Sequence, residues 1–111
     1  MKPAKTPEPP YYAVIFSSTQ TGEDLDGYDR KATEMEALAR QQDGYLGFES
    51  ARDANGLGVS VSYWRDEAAV KAWKRASEHA EAQATGRARW YETYEVRVAK
   101  VERAYGFERV G

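Results

Sequence analysis

The apolar positions of this chain switch between two periods, one of strands and one of helices. Tyr11 to Ser18 (YYAVIFSS) is β-branched, aromatic and apolar on both faces, which predicts a central strand covered on both sides. Leu25, Tyr28, Ala32, Met35 and Ala39 then recur at three- and four-residue steps with charges between them, as in an amphipathic helix. Gly44 stands where a left-handed cap would end that helix. A second strand is predicted over Tyr45–Asp53, with Leu46 and Phe48 on one face and Tyr45 on the other. Asn55-Gly56 between apolar runs signals a tight hairpin into a third strand, Leu57–Trp64. Its alternation is clean: Leu57, Val59, Val61 and Tyr63 line one face, and Gly58, Ser60, Ser62 and Trp64 the other. Asp66 is a good N-cap for a second helix and Glu67 suits its first turn. Val70, Trp73, Ser77, Ala80 and Ala84 form its stripe, and Gly86 closes it. Tyr91 to Phe107 is a long strand-like run. Tyr94, Val96 and Val98 share one phase and Ala99, Val101, Tyr105 and Phe107 the other, which predicts a bulge near Val98-Ala99.

The predicted order is β-α-β-β-α-β. It matches an α+β, ferredoxin-like fold: a four-stranded antiparallel sheet with both helices on one face. The face without helices should be polar if it meets water, yet the first strand is apolar on both sides. The last run, about seventeen residues at roughly 3.4 Å each, would approach 55 Å, far more than a usual strand. Both features predict a homodimer in which two sheets pack face to face and the C-terminal strand crosses to its partner, a dimeric α+β barrel.

Composition narrows the classes. All four prolines fall within residues 1–10, which predicts a disordered, solvated tail, a domain over 11–107 and a short C-terminal tail over 108–111. The absence of cysteine excludes disulfides, thiolate metal sites and a thiol nucleophile. Sixteen Lys and Arg against eighteen Asp and Glu leave a net charge of −2, with no general pull toward nucleic acid or anionic membranes. No apolar run is long enough to span a bilayer and no secretory signal opens the chain, so a cytoplasmic protein is expected. The fold order is shared with RNA-recognition domains. Asn55 to Tyr63 lacks their basic residue and all but one of their stacking rings, so RNA is not the expected partner.

Several side chains are candidates for chemistry. His79 is the one histidine and so the natural general base, or a haem ligand, although a rim histidine is the plainer reading. With a single histidine, a multi-histidine metal site within one chain is excluded and no metal is expected. Trp64, Trp73 and Trp90, with Tyr63 and Tyr91, could wall an apolar pocket for a flat aromatic ligand. Ser60 and Ser62 share a face with Trp64 and would leave volume beside its ring. Glutamates interleave with the arginines of the C-terminal third, which favours cross-strand ion pairing there.

Asp43-Gly44-Tyr45-Leu46-Gly47-Phe48-Glu49-Ser50 and Val61-Ser62-Tyr63-Trp64-Arg65-Asp66-Glu67-Ala68 resemble the antibiotic biosynthesis monooxygenase family, as do Trp73, His79, Gly86-Arg87 and the final strand. The resemblance covers roughly residues 11–107 and implies the dimeric barrel. It also implies a cofactor-independent monooxygenase acting on a small aromatic, phenolic or quinol substrate, which itself supplies electrons to O2. His79 would then be the base, Trp64, Trp73 and Tyr63 would enclose the ring, and Tyr12 and Ser62 would donate to an oxyanion. A non-catalytic barrel binding a hydrophobic small molecule is the alternative. Haem degradation ranks third: that branch has a helix tryptophan where Trp73 stands, but also an asparagine on the first strand, where Phe16 or a neighbour stands instead.

Overall fold

The computed structural model describes residues 2–82 and 87–110. The elements run β1 (Tyr11–Gln20), α1 (Leu25–Arg40), β2 (Tyr45–Arg52), β3 (Leu57–Trp64), α2 (Glu67–Ala82), a helical turn α3 (Arg87–Trp90) and β4 (Tyr91–Val101). The strands form one antiparallel sheet in the order β2-β3-β1-β4. The doubly apolar β1 is central, as its composition requires.

Strand register assigns the two faces, because partners across an antiparallel ladder point to the same side. Tyr12, Val14, Phe16 and Ser18 of β1 face the same way as Trp64, Ser62, Ser60 and Gly58 of β3. Lys100, Val98, Val96 and Tyr94 of β4 share that side. This is the helix side. Its core joins Trp64 to Ala39 of α1 and to Ala69 and Val70 of α2, with Tyr12, Val14, Tyr45 and Trp73 packed around them. Trp64 is fully buried. At about 25 cal/mol per Å², hiding some 200 Å² of indole contributes on the order of 5 kcal/mol before entropy is counted.

Local signals explain the element boundaries. Asp66 caps α2 by accepting from the Ala69 N–H at 2.8 Å. Asp24 caps α1 from a left-handed conformation, φ 49°, and accepts from the Gly27 N–H at 3.3 Å. At the hairpin, Asp53 Oδ1 accepts from the Asn55 and Leu57 N–H groups, and Gly56 supplies φ +92°. The first helix stops at Arg40, before Gly44; the positive φ of Gly44, 85°, instead turns the chain into β2, and its carbonyl accepts from Arg65 N–H.

Three sequence expectations are corrected. In β2 the register slips between Tyr45 and Gly47, so Tyr45 and Phe48 fall opposite Trp64 and Ser62 and share the helix side. In β4 the ladder runs unbroken from Thr93 to Val101; the irregularity lies at the Thr19/Gln20 step, and not near Val98-Ala99. The two apolar phases of β4 are the two faces of one edge strand. That strand ends at Val101, and residues 102–110 continue without regular structure. The predicted ends of the second helix, Ala84 and Gly86, lie outside the described residues.

The side opposite the helices is partly covered by the chain's own N-terminal residues. Ala4 N–H donates to Glu49 Oε2 at 3.0 Å, Thr6 Oγ1 and the Tyr11 hydroxyl are 2.7 Å apart, and the Tyr11 ring meets Tyr63 edge-on. Among the described residues, no helix is long and apolar enough to cross a membrane.

Candidate functional site

On the helix side, large rings stand beside a floor of small polar residues. Trp73, reaching down from α2, lies flat on Trp64 with ring centroids 5.4 Å apart and planes 21° from parallel. Tyr45 meets the same indole edge-on at 5.8 Å. Trp64 Nε1 donates to Ser62 Oγ at 2.8 Å, and Ser62 is itself buried. That hydroxyl accepts from the indole and so keeps its own proton to donate. Tyr12 packs beside this group, and Ser60 and Phe16 are cross-strand partners further along the same face. Trp64, Trp73, Tyr12, Ser62, Ser60 and Phe16 are therefore placed on one covered surface.

A second aromatic group occupies the other end of that surface. Phe16 stacks on Tyr94 at 5.2 Å and meets Tyr91 edge-on; Tyr91 touches Tyr28 of α1, and Tyr28 touches Trp90. Against Tyr28 sits Arg52, whose guanidinium donates to the Tyr28 hydroxyl at 2.7 Å, to Ser18 Oγ at 3.0 Å and to the Gly56 carbonyl. Sequence reasoning missed Arg52. The available signal was its position in β2 across from Gly58.

The remaining candidates are distributed elsewhere. Tyr63 lies on the opposite face from Trp64, as strand alternation demands, and donates to Glu49 Oε1. The sheet separates it from the Trp64–Trp73 stack. Trp90 is buried against Tyr28 and donates to Asp24 Oδ2 at 3.2 Å, so it belongs to the second aromatic group. His79 is exposed on α2, six residues toward the C-terminus from Trp73. In the C-terminal third, Arg89 pairs with Asp24 at 3.8 Å, and not with a glutamate of β4.

Electrostatics differ between the two sides. The Asp24 carboxyl is held below its usual range, first by the Trp90 indole N–H and then by Gly27 N–H and Arg89. Burial raises the Tyr45 phenol above its ordinary value. Tyr63 is raised further, by burial and then by the Glu49 carboxylate it donates to. Among the described residues no group of three or more His, Cys, Asp or Glu side chains gathers to hold a metal ion.

With this geometry in view, comparison with known proteins is informative. Residues 10–85 match the family described as antibiotic biosynthesis monooxygenase. The chain belongs to this family. An uncharacterised protein of Bacillus subtilis (strain 168), YqjZ, is 51% identical over 105 residues, covering 95% of this chain and 91% of that one. Among solved structures, SnoaB of Streptomyces nogalater, described as a cofactor-independent oxygenase, aligns with TM-score 0.70 at 15% identity, over 86% of this chain and 97% of its own. PA3566 of Pseudomonas aeruginosa aligns with TM-score 0.66 at 19% identity, over 89% and 99%. At such identities these two structures show a shared fold and nothing finer.

Proposed function

We propose that this protein is a cofactor-independent monooxygenase acting on a small phenolic or quinol substrate. The observation that carries the proposal is the stacked Trp64–Trp73 pair beside the buried Ser62 hydroxyl, in a chain of this family. The half-buried Trp73 indole, backed by the fully buried Trp64, is the ring of the pair that a planar, oxygenated ligand could meet. Deprotonation makes such a ring electron-rich enough to reduce O2 itself. For an anthrone, the methylene C–H is lost as a proton and O2 adds at that carbon as a peroxide. Loss of water, taking the second C–H hydrogen, then leaves a ketone; one oxygen atom ends in product and one in water. Tyr12 and Ser62 donate to the developing oxyanion, Trp64, Trp73 and Phe16 exclude water, and His79 is the candidate base. The test is oxygen uptake with a panel of anthrones and hydroquinones, comparing wild type with Ser62→Ala and His79→Ala. One O2 consumed per product, reduced at least tenfold in Ser62→Ala, is the expected result. No uptake across the panel removes the oxygenase reading.

A second reading, a barrel that binds a hydrophobic small molecule without turning it over, is favoured by one observation. His79 is exposed on α2, about 9 Å along the helix axis from Trp73. Thermal stabilisation by the same compounds without oxygen uptake would select the binder. In either case we propose that the working unit is a homodimer. Supporting this, Leu57, Val59, Val96 and Val98 are exposed on the sheet, and Tyr105, Phe107 and Val110 project from residues 102–110.

A further inference from the structure

Arg52 is a cation whose neighbours on the helix side are rings, serines and a glycine. Its guanidinium lies over Gly58: a Cβ at that position would sit 2.5 Å from Cζ and 2.6 Å from Nη2, so only glycine leaves room for it. The Gly56 carbonyl, Ser18 Oγ and the Tyr28 hydroxyl hold it from the side. All three acceptors are neutral, and no carboxylate pairs with Arg52 among the described residues. Asp24, at the start of α1, is engaged by Trp90 Nε1, Gly27 N–H and Arg89. The positive charge is therefore fixed in place by neutral partners alone, the Tyr28 ring, 5.2 Å from Cζ, among them.

The three bonds use three of the five guanidinium N–H groups, and two remain. Ser18, which is buried, and Tyr28 each accept from Arg52, so each keeps a hydroxyl proton to give to another oxygen. The rings of Tyr28, Tyr91, Phe16 and Tyr94 run on from the guanidinium as a cluster, two contacts edge-on and the last stacked, with successive centroids 5.8, 5.6 and 5.2 Å apart. Ser60, across from Phe16, keeps the adjoining floor low.

We propose that Arg52, with the hydroxyls of Tyr28 and Ser18, is a binding site for the carboxylate of a planar aromatic acid whose ring lies along Phe16, Tyr91 and Tyr94. A fixed guanidinium flanked by hydroxyl donors is suited to a carboxylate, and charge-assisted bonds of this kind are the strong ones. This rests on the reading of the helix side as the ligand surface, but not on catalysis.

The experiment is calorimetric binding of 2-naphthoate and of its neutral isostere 2-naphthamide to the full chain, with no oxygen chemistry involved. Wild type should bind the carboxylate at least tenfold more tightly than the amide. Arg52→Gln should bring the two to parity, and Gly58→Ala, whose new methyl displaces the guanidinium without removing its charge, should reduce the ratio severalfold. Equal binding of acid and amide by wild type overturns the proposal while leaving an aromatic site standing. A preference retained in folded Arg52→Gln overturns it as well, and so does failure of both probes to bind. Should Arg52→Gln not fold, the wild-type ratio and Gly58→Ala decide the matter between them. Oxygen uptake without any acid preference would sustain the monooxygenase and refute the carboxylate site.

Discussion

Tyr63 and Trp64 are consecutive in β3 and belong to different environments. The phenol donates to Glu49 on the face partly covered by residues 4–6, whereas the indole stacks on Trp73 under the helices. A substrate lying against Trp73 on the helix side is therefore out of reach of Tyr63 within one protomer. The chemistry open to Tyr63 is that of the helix-free face, where a second sheet would pack.

The raised pKa of Tyr63 ties stability to alkaline pH. Burial and the Glu49 hydrogen bond keep the phenol neutral in the folded state, while in the unfolded chain it ionises near its ordinary value of 10.0. Folded protein then holds the proton where unfolded protein has released it, so the contribution is full below about pH 10 and is lost as pH rises further. Melting temperature measured from pH 8 to 11.5 should fall more steeply above pH 10 in wild type than in Tyr63→Phe. Parallel curves would mean that Tyr63 titrates normally.

The Trp64–Trp73 stack makes the two indoles unequal. Trp64 is fully buried and bonded, so Trp64→Ala should cost roughly 3–5 kcal/mol and lower Tm by about 12–20 °C. Trp73 is half-buried over it, and Trp73→Ala should cost about half as much. Thermal denaturation checks the order. If Trp73 also walls the ligand site, its alanine variant should remain folded yet lose the thermal shift given by aromatic ligands.

Much of this was legible in the sequence, for identifiable reasons. The alternation of Leu57–Trp64 assigns both faces of β3 correctly, and Asp66 and Asn55-Gly56 mark their cap and turn because each supplies a local hydrogen-bonding or φ requirement. Tyr45 faces the helices against its period-two pattern because a bulge at Leu46 adds a residue that no such pattern reveals. Arg52 was missed because its role depends on Gly58, Ser18 and Tyr28, which come together only through two ladders and a helix. Trp90 was grouped with Trp64 by proximity to α2 in the chain, whereas the sheet sets them at opposite ends of β1, on the order of 25 Å apart for eight residues of strand.

Arg65 joins the turn at Gly44 to the start of α2, reaching Asp43 at 3.0 Å and Asp66 at 3.2 Å. Asp43 is depressed chiefly by its hydrogen bond from Arg65, and Asp66 chiefly by the Ala69 N–H and then by Arg65. Both carboxyls have folded pKa values below the ordinary 3.8, so their contribution is complete above that value and is lost as pH falls through the folded pKa. These side chains are largely exposed, and screening keeps the effect small. Between pH 5 and 2.5 wild type should lose Tm faster than Arg65→Gln, and the difference should shrink in 0.5 M salt, which leaves a Debye length of only about 4 Å. A salt-independent difference would point to packing of the Arg65 stem instead.

The segment after Val101 supplies the remaining prediction. Tyr105, Phe107 and Val110 are 101%, 91% and 96% exposed, a cost that an isolated protomer has no evident reason to bear. Seated on a second copy, these rings could cover exposed apolar positions such as Val96 and Val98 and tie two sheets together. Light scattering after size exclusion should then give about 25 kDa for the full chain, twice the 12.5 kDa protomer. Deleting residues 102–111 should shift micromolar samples toward protomer mass, and Phe107→Glu should weaken the dimer in the same direction while leaving the helix-side core untouched. A full-length chain that elutes as a protomer removes the homodimer. A truncated chain that stays dimeric keeps it, but moves the contact to Leu57, Val59 and the rest of the helix-free face.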